Sequence, residues 1–99
     1  MTLRFGFLTV FRQKIGRESL TVRLEDRPGR TPTVREALEA LERSVADRGL
    51  RLLDGGRVAG GILIFRKTPT GALERIRDPE NQSVEPGENL VLSVAMEGG

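Results

Sequence analysis

A single segment of this 99-residue chain has the residue pattern of a long helix, together with its own start and stop signals. Thr33 and Glu36 match a capping box, in which the threonine hydroxyl accepts a hydrogen bond from the Glu36 amide and the carboxylate accepts one from the Thr33 amide. Apolar residues then recur three or four positions apart, Glu39 precedes Arg43 by four residues as in an exposed ion pair, and Gly49 can cap the end. One helix can cover only one face of a sheet. We therefore expect the other apolar segments to be the strands of a sheet that this helix covers.

The other apolar segments have the composition and alternation of β-strands. Phe, Leu, Val and Thr dominate the first of them, and apolar and polar residues alternate cleanly in the second. A turn at residues 15–18 would join these two strands into an antiparallel hairpin, and Pro86-Gly87 has the residue order of a type II turn before the last strand. The predicted strands cover residues 2–11, 19–25, 61–67, 72–77 and 89–96.

These elements follow one another as strand, strand, helix, strand, short strand, strand. We expect the first and last strands to be central, parallel neighbours, because a terminal strand at the centre leaves its tail projecting from the rim of the sheet. The prediction is an α+β chain with the β-grasp (ubiquitin-like) fold, in which a mixed sheet of four to five strands carries one main helix on one face. The domain would cover residues 1–96, and residues 97–99 would form a flexible Gly-Gly tail.

The composition excludes several kinds of site. Cys and His are absent, which removes disulfides and most catalytic nucleophiles and neutral-pH bases, so we expect no catalytic side chain and no metal site. The pI is about 9.9, but the net charge is only +2 and the arginines are dispersed among acids, which disfavours nucleic acid binding. Because no apolar run approaches the roughly 20 residues of a membrane helix, we expect no membrane contact and a cytoplasmic location.

The last two residues, Gly98 and Gly99, place a terminal carboxylate on a chain without Cβ atoms. Such a chain can enter a narrow active-site channel in which side chains would clash. The dipeptide alone is also typical of a frayed terminus, so its interpretation depends on the rest of the sequence.

Several segments resemble the sulfur-carrier branch of the ubiquitin-like proteins, represented by the small subunit of molybdopterin synthase (MoaD) and the thiamine sulfur carrier (ThiS). The opening segment resembles the family's first strand and the arginine-containing segment after it, which ends in glycine. The helix resembles its Thr-Val-x-x-x-Leu-x-x-Leu pattern, and the turn before the last strand resembles its Gly-Asp-Glu-Val turn. The matching segments are residues 3–16 with Arg12 and Gly16, residues 33–41, residues 84–92 and the Gly98-Gly99 terminus.

The resemblance implies that the Gly99 carboxylate attacks the α-phosphate of Mg-ATP in an E1-like adenylating enzyme, which gives an acyl-adenylate. A sulfur donor then forms a thiocarboxylate on Gly99, and this delivers sulfur to an acceptor enzyme such as a molybdopterin synthase large subunit. Gly98, Glu97 and Met96 would lie in the channel of the activating enzyme. The chain would bind no cofactor itself and would act as a co-substrate rather than an enzyme.

The sheet face opposite the helix is the candidate partner surface, because one helix leaves that face uncovered. Alternation in the third strand does not show which of its residues belong there. The same residues could instead be buried under loops or in a homodimer. The candidates are Val91 and Ala95 from the last strand, Leu63 and Phe65 or alternatively Ile62 and Ile64 from the third, and Leu8 or Val10 from the first.

Two other functions remain open at this stage. A ubiquitin-like modifier would use the same adenylate but pass Gly99 to a target lysine, with the help of an E2-like protein. A β-grasp binding subunit would use only its surface and leave the terminus unactivated. The sequence does not distinguish sulfur transfer from conjugation, nor does it identify the acceptor among molybdopterin, thiazole, tRNA and cysteine synthesis.

Overall fold

The computed structural model describes residues 1–94, which form a mixed five-stranded sheet, two α-helices, a short 3-10 helix and a separate two-stranded hairpin. In chain order the elements are β1 (Thr2–Phe7), α1 (Thr9–Ile15), β2 (Ser19–Arg23), α2 (Val34–Ser44), the 3-10 helix (Ala46–Arg48), β3 (Leu53–Asp54), β4 (Arg57–Val58), β5 (Ile62–Lys67), β6 (Leu73–Arg75) and β7 (Asn89–Val94).

β1 and β7 lie side by side at the centre of the large sheet and run parallel, as predicted. The strand order is β2-β1-β7-β5-β6, and the other neighbouring pairs are antiparallel. In the parallel pair Phe5 lies opposite Leu90 and Phe7 opposite Leu92. The first and last strands of the described chain therefore form the middle of the sheet, and the predicted α+β architecture is confirmed.

The core lies between α2 and the inner face of the large sheet. Alternate residues of β1 and β7 point into it, and Phe5, Leu90 and Leu92 have no exposed surface. α2 contributes an apolar stripe at helical spacing, which is the stripe predicted from the sequence. Its buried members are Val34, Ala37, Leu38, Ala40 and Leu41.

The prediction of one strand through residues 2–11 is wrong, because β1 ends at Phe7 and α1 follows directly. Phe11 and Ile15 are four residues apart, so a helix brings both to one side, and they are 5% and 1% exposed. Gly16 ends α1 in the left-handed conformation, with φ of 76°, and its N–H donates to the Arg12 carbonyl. A helix rather than a short turn therefore connects the antiparallel strands β1 and β2.

The start of α2 is confirmed in part. The Glu36 N–H donates to the Thr33 hydroxyl at 3.3 Å, which is one half of the capping box. The Glu36 carboxylate instead accepts a hydrogen bond from the Arg30 guanidinium. A charged donor is a stronger partner than a neutral amide, which explains the difference.

Two further details of α2 differ from the sequence prediction. Glu39 pairs with Arg35 and not with Arg43, so the ion pair spans the preceding turn of the helix. Gly49 does adopt the left-handed conformation, with φ of 68°, but it ends the 3-10 helix that follows α2. Neither α1 nor α2 is long and apolar enough to cross a membrane.

The turn before β7 has the predicted form. Gly87 has φ of 78°, which a type II turn requires at its third residue, and the Glu88 N–H donates to the Glu85 carbonyl at 3.2 Å. Residues 68–71 reverse the chain into β6, which is the predicted edge strand although it is shorter than residues 72–77.

Leu38→Ala is expected to lower the free energy of unfolding by about 2–5 kcal/mol, because it leaves a cavity in a fully buried position. Arg43→Ala, at an exposed position of the same helix, is the control and should cost less than about 1 kcal/mol. Urea unfolding of both variants measures the difference. Similar losses would contradict the assignment of the buried stripe.

Candidate functional site

β7 carries the described chain to one rim of the sheet. Because β1 and β7 are parallel, β7 reaches the rim at which β1 ends and α1 begins. A hydrogen bond from the Leu8 N–H to the Leu92 carbonyl, 3.0 Å long, joins the two strands at this rim. Val94 is the last described residue. The five residues after it therefore start from this rim, beside the N-terminal end of α1.

Five of the predicted site residues lie outside the described residues. They are Ala95 of the proposed partner surface, Met96, Glu97 and Gly98 of the proposed channel segment, and Gly99 of the proposed reaction site. Their roles stay predictions, as does the flexibility of residues 97–99.

The outer face of the sheet, opposite α2, carries the other predicted partner residues. Phe65 lies directly opposite Val91 in the antiparallel β5–β7 pair, and Leu63 follows on the same face of β5. All three side chains are partly exposed. Ile62 and Ile64 point to the inner face, where Ile64 is 2% exposed. The structure thus assigns the outer face to Leu63 and Phe65, an alternative that the sequence left open.

Two exposed apolar residues flank the rim that Val94 reaches. Leu8 is 42% exposed and Val10 is 43% exposed, and their role as contact residues stays a prediction. Their place in a strand was wrong, since Leu8 precedes α1 and Val10 lies within it. A further exposed residue, Leu73 of β6, was missed. It pairs with Lys67 across the β5–β6 turn, so it lies on the outer face.

The charged residues on the outer face of the strands around this apolar patch are basic. By alternation and register, Arg4, Lys67 and Arg75 point outward from β1, β5 and β6. The protein as a whole has nearly balanced charges, with 16 basic and 14 acidic residues. A small apolar centre with a basic surround is therefore a local property of this face, and it suits a partner whose surface is apolar and acidic.

An ion-pair network holds the beginning of β7 in place. Arg66 donates from Nε to the Glu88 carboxylate at 2.6 Å and from Nη2 to the Ser83 carbonyl at 2.8 Å. The second carboxylate oxygen of Glu88 accepts from the Glu85 N–H at 2.8 Å. The Arg66 and Glu88 side chains are 27% and 16% exposed. This network connects β5 to the turn before β7 and so helps to set where the last strand starts.

Within residues 1–94 no group of three or more acidic side chains is arranged to hold a metal ion. The described part of the chain presents a mixed apolar and basic face on the outer side of its sheet.

No protein-family model matches this sequence, and no curated protein matches it. Solved structures do match. Two crystal structures of small archaeal modifier protein 1 (SAMP1) from Haloferax volcanii superpose with TM-scores of 0.75 and 0.68, at 18% and 17% identity. The first match covers 100% of both chains, and the second covers 96% of this chain and 98% of the other.

A chain of the BexX/CysO complex of Amycolatopsis orientalis superposes with a TM-score of 0.69 at 20% identity, over 98% of this chain and 99% of that one. At such identities the likeness concerns the fold. It confirms the β-grasp, ubiquitin-like fold over essentially the whole described chain.

Glu88→Gln is expected to lower the free energy of unfolding by about 1–3 kcal/mol, because the partly buried carboxylate loses its charge-assisted hydrogen bonds. Glu18→Gln removes a charge from the exposed pair of Glu18 with Arg12, and it should cost less than about 1 kcal/mol. Urea unfolding compares the two. Equal losses would show that the Arg66–Glu88 network does not stabilise the start of β7.

Proposed function

We propose that this protein is a sulfur carrier whose C-terminal Gly99 is adenylated by an E1-like enzyme and then converted into a thiocarboxylate for sulfur transfer. The observation that carries the proposal is the position of β7. A central strand, parallel to β1, reaches the rim at its last described residue, Val94, and Gly98-Gly99 follows within five residues of it in the sequence.

The chemistry requires little from the chain itself. The Gly99 carboxylate attacks the α-phosphate of Mg-ATP in the partner, pyrophosphate leaves, and a mixed anhydride with AMP forms. A sulfur donor then displaces AMP, which is a far better leaving group than oxide. ATP and Mg²⁺ are used by the activating enzyme, so a carrier without Cys or His is adequate. Gly98 would give the tail the slenderness that a narrow channel needs.

The outer face would bind the partners. Val91, Phe65 and Leu63 form its apolar centre, and Ala95 would extend it by strand alternation. Met96 and Glu97 would lie at the mouth of the activating enzyme's channel. The acceptor would be an enzyme like the molybdopterin synthase large subunit, and the place of action would be the cytoplasm. The likeness to a chain of the BexX/CysO complex supports a partnership with other proteins.

A second candidate is conjugation. The likeness to small archaeal modifier protein 1 favours a modifier that transfers the same Gly99 adenylate to a target lysine through an E2-like protein. The two functions share the activation step and differ only in the nucleophile that displaces AMP. A binding subunit with an unused terminus is the third possibility.

Deletion of Gly99, or addition of one residue after it, is expected to abolish ATP-dependent activation by the E1-like enzyme that activates the unmodified chain. One extended residue moves the carboxylate by roughly 3.3–3.6 Å, and a misplacement of about 1 Å can already reduce a rate on the order of a hundredfold. ATP–pyrophosphate exchange measures activation. Thermal unfolding of the same variants is the control and should be unchanged.

Intact mass identifies the product. After incubation with ATP, the activating enzyme and a sulfur donor, a sulfur carrier gains the mass of sulfur in place of oxygen at Gly99. A modifier is instead recovered joined to a lysine of another protein. Activation of the shortened chain at the normal rate would show that Gly99 is not the reacting residue, and the binding-subunit interpretation would then replace the proposal.

A further inference from the structure

Gly6 occupies an unexpected position for a glycine. It lies inside β1, a central strand, with β2 on one side and β7 on the other. Glycine destabilises a strand interior relative to alanine, because it loses more conformational entropy on folding. Gly6 is not among the glycines with positive φ. A Cβ atom built on it would meet Val91 Cγ2 at 3.6 Å as its nearest neighbour, an ordinary contact. The fold therefore does not require glycine here.

An open depression of about 290 Å³ lies in the outer face beside Gly6, and we call it the Gly6 pocket. The residues around Gly6 that matter here are Arg4, Ser19, Lys67, Asn89 and Val91. Gly6 is level with Ser19 on β2 and Val91 on β7. Arg4 of β1 lies opposite Asn89 of β7. On the other side of β7, Arg66 of β5 pairs with Leu90, and Lys67 follows Arg66. Arg4 and Lys67 therefore lie on either side of β7. Their strands are two spacings, or about 9–10 Å, apart.

The two cations beside the pocket have no acidic partner within residues 1–94. Arg4 donates from Nε and Nη2 to the Ser19 hydroxyl, at 3.2 and 3.0 Å, so a neutral group orients its guanidinium. Glu18 also borders the pocket, but its carboxylate is bound to Arg12. A carboxylate that entered between Arg4 and Lys67 would therefore find positive charge that the described chain leaves uncompensated.

We propose that the Gly6 pocket receives an acidic side chain of the partner that activates the C-terminal glycine, with its carboxylate between Arg4 and Lys67. This inference rests on the proposed function and names the chemistry of the partner surface. Val91 precedes Val94 by three residues, or about 10 Å along β7. A partner that holds the residues after Val94 therefore also covers the pocket and the Val91–Phe65 pair.

A protein fits this face better than a nucleic acid does. The pocket borders an apolar pair rather than a basic stripe. Among the outward positions of β1, β2, β5, β6 and β7, one residue is aromatic, Phe65. Non-specific binding of single strands uses several aromatic rings for base stacking. An apolar centre beside a few well-placed cations is instead typical of protein interfaces.

The first experiment narrows the pocket by adding a side chain at Gly6. Gly6→Ala is expected to leave the melting temperature unchanged or raise it, because alanine is better tolerated in a strand. It should also raise the apparent KM of the E1-like enzyme for this chain at least tenfold, without changing kcat. Gly6→Val should raise the KM further. Thr21→Ala, on the same face but outside the pocket, is the control and should change neither quantity. ATP–pyrophosphate exchange with an E1-like enzyme that activates the unmodified chain provides both constants.

The second experiment tests whether Arg4 and Lys67 bind a carboxylate of the enzyme. Arg4→Gln and Lys67→Gln should each raise the KM and weaken its dependence on salt, whereas Lys14→Gln on α1 should not. Lys14 and Lys67 are the only lysines in the sequence. A carbodiimide, which joins an amine to a touching carboxylate with loss of water, should therefore cross-link the enzyme through Lys67 and not through Lys14. Peptide mass mapping reads the site.

The outcomes separate the two proposals. If the unmodified chain is activated but Gly6→Ala leaves the KM unchanged and Lys67 is not cross-linked, the pocket proposal is wrong and the proposed function stands. A loss of folding stability in Gly6→Ala would mean that the glycine is structural, which also overturns it. Binding of a fluorescent 20-nucleotide RNA that Arg4→Gln and Lys67→Gln abolish would assign the face to nucleic acid instead. Absence of any activation of the unmodified chain would overturn both proposals.

Discussion

The parallel pairing of β1 with β7 is the contact on which the rest of this structure depends. It places the first and last strands of the described chain side by side at the centre of the sheet, with Phe5 beside Leu90 and Phe7 beside Leu92. These side chains are almost completely removed from water, and burial of large apolar side chains is the main stabilising contribution to a fold. Because β7 is central and parallel to β1, its last described residue, Val94, lies at the rim beside α1.

The presence of one main helix determines how the outer face of the sheet must be composed. α2 covers only the inner face, so the outer face must be compatible with water without it. The outer face meets this demand with a small apolar group around Phe65 and Val91, surrounded by basic residues such as Arg4 and Lys67. Gly6 lies at the junction of these two regions. The residues proposed to bind the partner thus lie outside the hydrophobic core. Substitutions at these positions can therefore change binding without loss of the fold.

Much of the fold could be predicted from local patterns. The alternation in residues 19–25, the apolar stripe of α2 and the Pro86-Gly87 turn each depend on interactions over a few residues. The stripe and the turn are confirmed, and the strand is confirmed up to Arg23, where β2 ends. The sequence did not predict α1 because Leu8 and Val10 fit the alternation of a strand, while Phe11 and Ile15 fit the spacing of a helix. Short apolar segments carry both periodicities, and only the burial of Phe11 with Ile15 in the core distinguishes them.

The sequence by itself determined the types of most elements, their order and the start of α2, since these depend on residues that are close in the chain. Only the tertiary structure decided which face Leu63 and Phe65 occupy, that Glu88 binds Arg66, and that Arg4 and Lys67 flank Gly6. Such pairs are many residues apart, and their meeting depends on strand register. A shift of register by one residue would exchange the two faces of a strand, and that choice is made by the packing of the whole core.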